Sequence, residues 1–370
     1  MKTKHIILIT LLIPVFFVIA WYALKLKPLP EYGSSSPYHA SEFSVYGEDG
    51  TLLPGEMLLP ESSDSRAFII SADQKLDRSW NSRNMDFKIG RIISNILAGN
   101  NIPVAIYDQR GSGESILSGR NHPTPENLAS DFNIVLEKIK QNENFRDKNL
   151  EIIAHGHGCI PALIAVNKYK IPVKRIYLLS CVFPGTLLDS WLTQILNNME
   201  RAGVEKPSLQ KAKEITEKWK RQKEFKLLQP HETNAEKNSD QDIQSLYSAL
   251  DYMQKEQMHA WTVQARDISF LDELNRLDSS IEIYHILNEF DEEFAENLVV
   301  SWEKTINTGE FKIEKNRYVF KIIPATDHFF MHTASPSRGV IRLILQRINP
   351  FREMDRNLFE YIFNYRASIK

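Results

Sequence analysis

Short apolar runs bounded by turn residues recur along the chain, and stretches with helical spacing separate most of them. Residues 67–71 read A-F-I-I-S and residues 103–107 read P-V-A-I-Y, each fitting a buried strand. A third run, residues 151–155, enters a tight Gly-rich turn, and residues 175–179, 281–287 and 318–323 add three more. This alternation predicts an α/β protein with a doubly wound, mainly parallel sheet. Ligands in such sheets bind beyond the carboxyl ends of the strands, so chemistry is expected in the turns after these runs.

Two segments depart from this pattern. Residues 186–277 are helical and highly charged, including K-A-K-E-I-T-E-K-W-K-R-Q-K from Lys211, which reads as a solvated helix face. Within them Leu187, Leu188, Trp191, Leu192 and Ile195 fall at helical spacing and are expected to face a pocket from above. Residues 6–24 are uncharged and almost wholly apolar, long enough to cross a bilayer as a helix. Residues 1–27 therefore read as a transmembrane anchor, with a removed signal sequence as the competing reading. Lys2 and Lys4 before the span nearly balance Lys25 and Lys27 after it. The short amino tail favours a single-pass protein with its domain outside the cytoplasm; after cleavage the domain would be secreted or periplasmic. Residues 28–42, rich in Pro, Ser and Gly, read as a linker.

Composition adds bounds. The chain has 370 residues, 42% hydrophobic and 25% charged, enough for a large core plus an insertion. A formal net charge of -2 supplies no global field pointing to nucleic acid. Cys159 and Cys181 are the only cysteines, so no disulfide framework is required.

The turn at residues 154–158 reads A-H-G-H-G. A nucleophile elbow has the form G-x-S-x-G between a strand and a helix and holds a side-chain oxygen over the sheet edge. Here the nucleophile position is Gly156, which suits the backbone but supplies no oxygen. Three replacements are weighed. Cys159 lies one turn into the following helix and is expected to pack against the sheet as a small buried apolar group. Ser180 ends the next strand on the correct edge and is an alternative nucleophile. A water molecule polarised by a histidine is the third. His155, His157 and Cys159 also spell H-x-H-x-C, but they straddle the strand-to-helix turn and no second ligand cluster follows, so neither a metal nor another cofactor is expected.

Several segments together resemble the α/β-hydrolase family, in its bacterial serine aminopeptidase-like and esterase-like branch. They are Asp77-Arg78 with Asn81-Ser82, then Y-D-Q-R-G-S-G-E-S from Tyr107, the elbow, and N-E-F-D and I-P-A-T-D-H-F ending in Asp291 and at Phe329. The resemblance spans residues 43–345, and the hydrolase domain is expected in two parts, 43–185 and 278–370, around a helical cap insertion at 186–277. It implies that Asp291 is the acid and His328 the base of the site, and that the His157 N–H is one oxyanion donor. The second donor is expected from Ala72, in a turn where the family usually carries a Gly-containing segment and this chain has Ser71-Ala72-Asp73. Asp73 either faces the pocket, where it would oppose a developing negative charge, or faces solvent. Asp291 and His328 also admit a plainer reading, as a turn former and a histidine bonded to its own loop. The expected function is a membrane-tethered, hydrolase-like pseudoenzyme that binds a small ester, acyl or peptide ligand or a partner; the alternative is an ester or peptide hydrolase using His328 and Asp291 with water or Ser180.

Overall fold

Period-two alternation within the apolar runs gives the strands two buried faces. Ile69, Ala105, Ile152 and Leu178 enter one core cluster, and Phe68, Ile70, Ile106 and Ile153 enter the other. Each fully buried Ile, Leu or Phe side chain among them contributes about 1.5–3 kcal/mol. The computed structural model describes residues 36–73, 76–81, 88–117, 123–221, 241–291 and 297–330, with Leu358 and Ile362. The apolar stretch 6–24 and the start of the 28–42 segment lie outside the described residues. Among the described residues, no helix is long and apolar enough to cross a membrane.

The strands are β1 (Tyr38–Tyr46), β2 (Leu52–Pro60), β3 (Arg66–Ser71), β4 (Val104–Tyr107), β5 (Asn149–His155), β6 (Arg175–Leu179), β7 (Glu282–Asn288) and β8 (Tyr318–Ile323). They form one sheet in the order β1-β2-β4-β3-β5-β6-β7-β8. β1 and β2 are a hairpin, β2 pairs antiparallel with β4, and the remaining neighbours are parallel. The six apolar runs correspond to β3–β8. The hairpin was not among them, and because β1 begins at Tyr38, the linker must end before that residue.

Helices fill the connections: α1 (Ile89–Gly99), α2 (Pro125–Ile139), α3 (Glu143–Arg146), α4 (Cys159–Tyr169), α5 (Leu187–Arg201), α6 (Lys206–Lys220), α7 (Gln241–Gln254), α8 (Glu256–Asp267), α9 (Phe270–Asn275) and α10 (Asn297–Ile306). Thr124 caps α2 in a reciprocal box with Asn127, and Thr186 caps α5 in the same way with Asp189. α1 covers one face of the sheet, and α2, α4 and α10 cover the other.

Helices α5–α9 lie between β6 and β7 and join the same core as α2 and α4. Leu187, Leu188 and Leu192 are buried in it, with Trp191 and Ile195 packed partly buried against it. These apolar positions dock α5 onto the domain, which corrects the expectation that they roof a pocket; burial in the core outweighs exposure to a cavity. A bridge between Thr186 and Ser269 closes the insertion at its base, and the Glu126 N–H donates to Gln264 Oε1.

Candidate active site

The elbow forms where β5 ends. His155 is extended, Gly156 turns to φ +55°, and α4 starts at Cys159. A Cβ on Gly156 would lie 2.6 Å from Asp73 Oδ2. The carboxylate of Asp73 thus stands in the space that an elbow side chain would take. Its Oδ2 accepts the backbone N–H of His157 at 2.9 Å and lies 3.0 Å from His157 Nδ1. Asp73 is 6% exposed, so of the two orientations that the sequence left open the inward one holds. The donor proposed for an oxyanion is bonded to a carboxylate of the protein itself.

The segments that looked like chemistry hold this turn in place. The side-chain amide of Gln109 donates to the Ala72 carbonyl at 2.8 Å and to Ser71 Oγ at 3.0 Å, and Gln109 is itself buried. Asp108 accepts the N–H groups of Arg78 and Glu114, which ties the two family-like segments together. Asp77 accepts the N–H groups of Ser79 and Asn81, shaping a loop in which Trp80 takes φ +63° and stacks on His155 with ring centroids 4.5 Å apart. Arg110 forms a two-pronged ion pair with Asp131 and a further bond to Asp49. Burial raises the Asp131 carboxyl above its usual range although Arg110 pulls it down.

The last two turns bring in the acid and the histidine. His328 Nδ1 lies 2.9 Å from Asp291 Oδ2, with both side chains buried. The His328 carbonyl accepts from Ser180 Oγ and from His155 Nε2, each at 3.0 Å. Ser180 in turn accepts from Asn288 Nδ2, and Asn288 Oδ1 accepts from Thr326 Oγ1. A carbonyl only accepts, so His155 Nε2 carries the proton, and among the described residues His155 Nδ1 is buried without a hydrogen-bond partner. Burial, and then the neighbouring His328, push His155 down to about 3, which keeps it neutral.

Ser180 departs from its role as alternative nucleophile. It is wholly buried at φ +47°, and its hydroxyl proton goes to the His328 carbonyl, so the residue braces the histidine loop. Cys159 packs under the sheet but not as a free thiol, because it is bonded to Cys181 with Cα atoms 6.1 Å apart. His155, His157 and Cys159 go three separate ways, to His328, Asp73 and Cys181. Charge let Asp73 face either the pocket or the solvent; its place beside Gly156 comes from the fold. The available signal was the coincidence of a glycine at the nucleophile position with an acid in the opposing turn.

Residues 90–265 match the model of the serine aminopeptidase S33 family. No curated protein matches the chain in sequence. Among solved structures, the esterase Pf2001 of Pyrococcus furiosus is similar at 13% identity, over 91% of this chain and 96% of that one, with a TM-score of 0.48. Proline iminopeptidase of Mycobacterium smegmatis is similar at 14% identity, over 78% and 92%, with a TM-score of 0.47. The family match and the chain's own sheet order and elbow support the α/β-hydrolase superfamily.

Proposed function

We propose that this chain is a hydrolase-fold protein that binds a small ligand at the elbow and does not carry out serine acyl transfer. The observation that supports this is the Asp73 carboxylate, 2.6 Å from where a Gly156 Cβ would lie and bonded to the His157 N–H. Acyl transfer needs a nucleophile at the first place and a donor to the developing oxyanion at the second. Here one anion holds both, and loss of a single oxyanion donor already costs about 10²–10³-fold in rate. In this reading the ligand is an ester, acyl or peptide molecule. Residues 1–27 tether the domain to a membrane, with the domain outside the cytoplasm.

A second reading, hydrolysis by water, draws on the 2.9 Å contact between His328 Nδ1 and Asp291. An imidazole oriented in this way is a suitable general base.

Aryl-ester hydrolysis by the full-length chain and three variants separates the two. The parent is expected to be silent. Gly156→Ser is also expected to be silent, because its Cβ meets the Asp73 carboxylate. Adding Asp73→Ala to Gly156→Ser clears both the side-chain space and the His157 N–H, so the double variant is expected to gain activity. Hydrolysis by the parent that His328→Ala abolishes would overturn the binding reading in favour of water.

A further inference from the structure

The elbow lies at one end of the sheet, and β1 begins at the other. Tyr38, the first residue of β1, pairs with Pro60, and Leu58 of β2 pairs with Val104, the first residue of β4. Asn149, which opens β5, pairs with Arg66, which opens β3. Tyr38 therefore stands at the end from which the parallel strands start. Gly156 follows the far end of the seven-residue β5, about 20 Å away.

The starting end carries a cavity of about 180 Å³ between the end of α2, α3 and the start of β5. Buried Leu136, Phe145 and Leu150 give it apolar walls, and three cations, Lys140, Arg146 and Lys148, line it while exposed or half-buried themselves. Arg146 donates to the Gln141 carbonyl at 3.2 Å and Lys148 to the Asp64 carbonyl at 2.6 Å, both neutral acceptors. Lys140 lies 3.6 Å from Glu137. Among the described residues, Arg146 and Lys148 thus form no ion pair, although Glu143 and Asp147 belong to the same segment. Apolar walls beside uncompensated cations fit an anion with an apolar body. The volume is below the roughly 300–1,000 Å³ that encloses a drug-sized ligand, so it fits one headgroup at a surface.

From this placement we infer that the starting end of the sheet docks on anionic phospholipid of the bilayer, with a lipid phosphate held by Lys140, Arg146 and Lys148 and its glycerol carbons against Leu136 and Phe145. The inference rests on the reading that residues 1–27 are a membrane tether. Residues 28–35 join that tether to the described domain and reach at most about 30 Å, which keeps the end that carries Tyr38 near the bilayer surface. The cavity lies on the same end, four strands along the sheet from β1, or about 19 Å. Each Lys or Arg beside an anionic bilayer strengthens the attraction about 5-fold, so three together give about 10²-fold. Docked in this way, the domain turns the elbow away from the bilayer, and its ligand arrives from water.

The test places the full-length chain in phosphatidylcholine nanodiscs, with and without about 30% phosphatidylglycerol. In the mixed discs Lys140 and Lys148 are expected to be acetylated about 10-fold more slowly than in the neutral ones, and about 1 M salt to remove the difference. Lys213 and Lys218, exposed on α6, are expected to react alike in both, and this readout needs no variant to fold. A photoreactive phosphatidylglycerol is expected to label residues 136–150, and Lys140→Gln with Arg146→Gln and Lys148→Gln to lower the yield about 10²-fold. Equal acetylation in both discs, labelling confined to other peptides, or cross-links from this end to a second copy overturns the docking. An alkaline wash of neutral vesicles reads the tether separately. A chain that the wash strips off overturns the tether reading and the docking with it; a chain that stays bound while its lysines react equally overturns the docking alone.

Discussion

A methyl group at position 158 would lie 2.0 Å from the Ala72 carbonyl oxygen, a distance no packed pair of atoms adopts. The elbow and the 71–73 turn touch through that glycine, so Gly158→Ala is expected to push the two apart. Overpacking of this kind costs about 1–3 kcal/mol, which urea unfolding measures; an unchanged midpoint would show that the turn is free to move. Histidines set a second expectation. His155 and His285 are wholly buried, and burial pushes each from 6.5 down to about 3. Below 6.5 the unfolded chain takes up protons that the folded chain refuses, so stability is lost as pH falls through the window from 6.5 toward 3. The slope is about 1.4 kcal/mol per pH unit for each histidine. Unfolding free energies between pH 6.5 and 5 are expected to fall with that slope, and His285→Phe to remove one proton from it. A slope that this substitution leaves untouched would mean that His285 is reached by solvent protons in the folded state.

Elements show how far the sequence reaches. Six strands were legible because each is a mainly apolar run flanked by turn residues, and in β3–β6 burial on both faces leaves little polar alternation to confuse the reading. The β1–β2 hairpin was not, because β1 is largely exposed and polar and β2 carries Pro54 and Gly55. The acid and histidine turns were legible through their family-like order, and the structure brings Asp291 and His328 within 2.9 Å. The direction of Asp73 was not, because its carboxylate meets residues far along the chain, the N–H and ring of His157 among them. Arg110 plays the same part for the hairpin and α2. Arg110→Ala would leave the 1%-exposed Asp131 without its cation, so a loss of about 3–5 kcal/mol is expected. Replacing Asp131 by Leu and Arg110 by Met together is expected to cost less than Arg110→Ala alone, because no buried charge is stranded. Thermal melts of the three proteins check it; a double variant worse than the single would mean that the pair itself, and not the stranded charge, carries the stability.

At the scale of the whole molecule, the Cys159–Cys181 bond joins the start of α4 to the turn after β6, the two segments that also carry the elbow and Ser180. It closes a loop with a sequence separation of 22, which by chain entropy corresponds to about 3 kcal/mol. Unfolding entropy grows with chain length, so for a chain of this size that amounts to about 4 °C in Tm, and Cys159→Ser with Cys181→Ser is expected to melt lower by that margin. Both residues are wholly buried, and reductant is therefore expected to cleave the bond only under unfolding conditions. A bond of this kind forms and persists on the oxidising side of a membrane. It thus bears on an expectation drawn from an unrelated part of the chain, that residues 1–27 are a membrane anchor with the domain outside the cytoplasm. Peptide mapping of the native protein without reductant is expected to recover residues 159 and 181 cross-linked. Free thiols at both positions would remove the oxidising compartment from the argument and return the orientation to the balance of lysines on either side of that stretch.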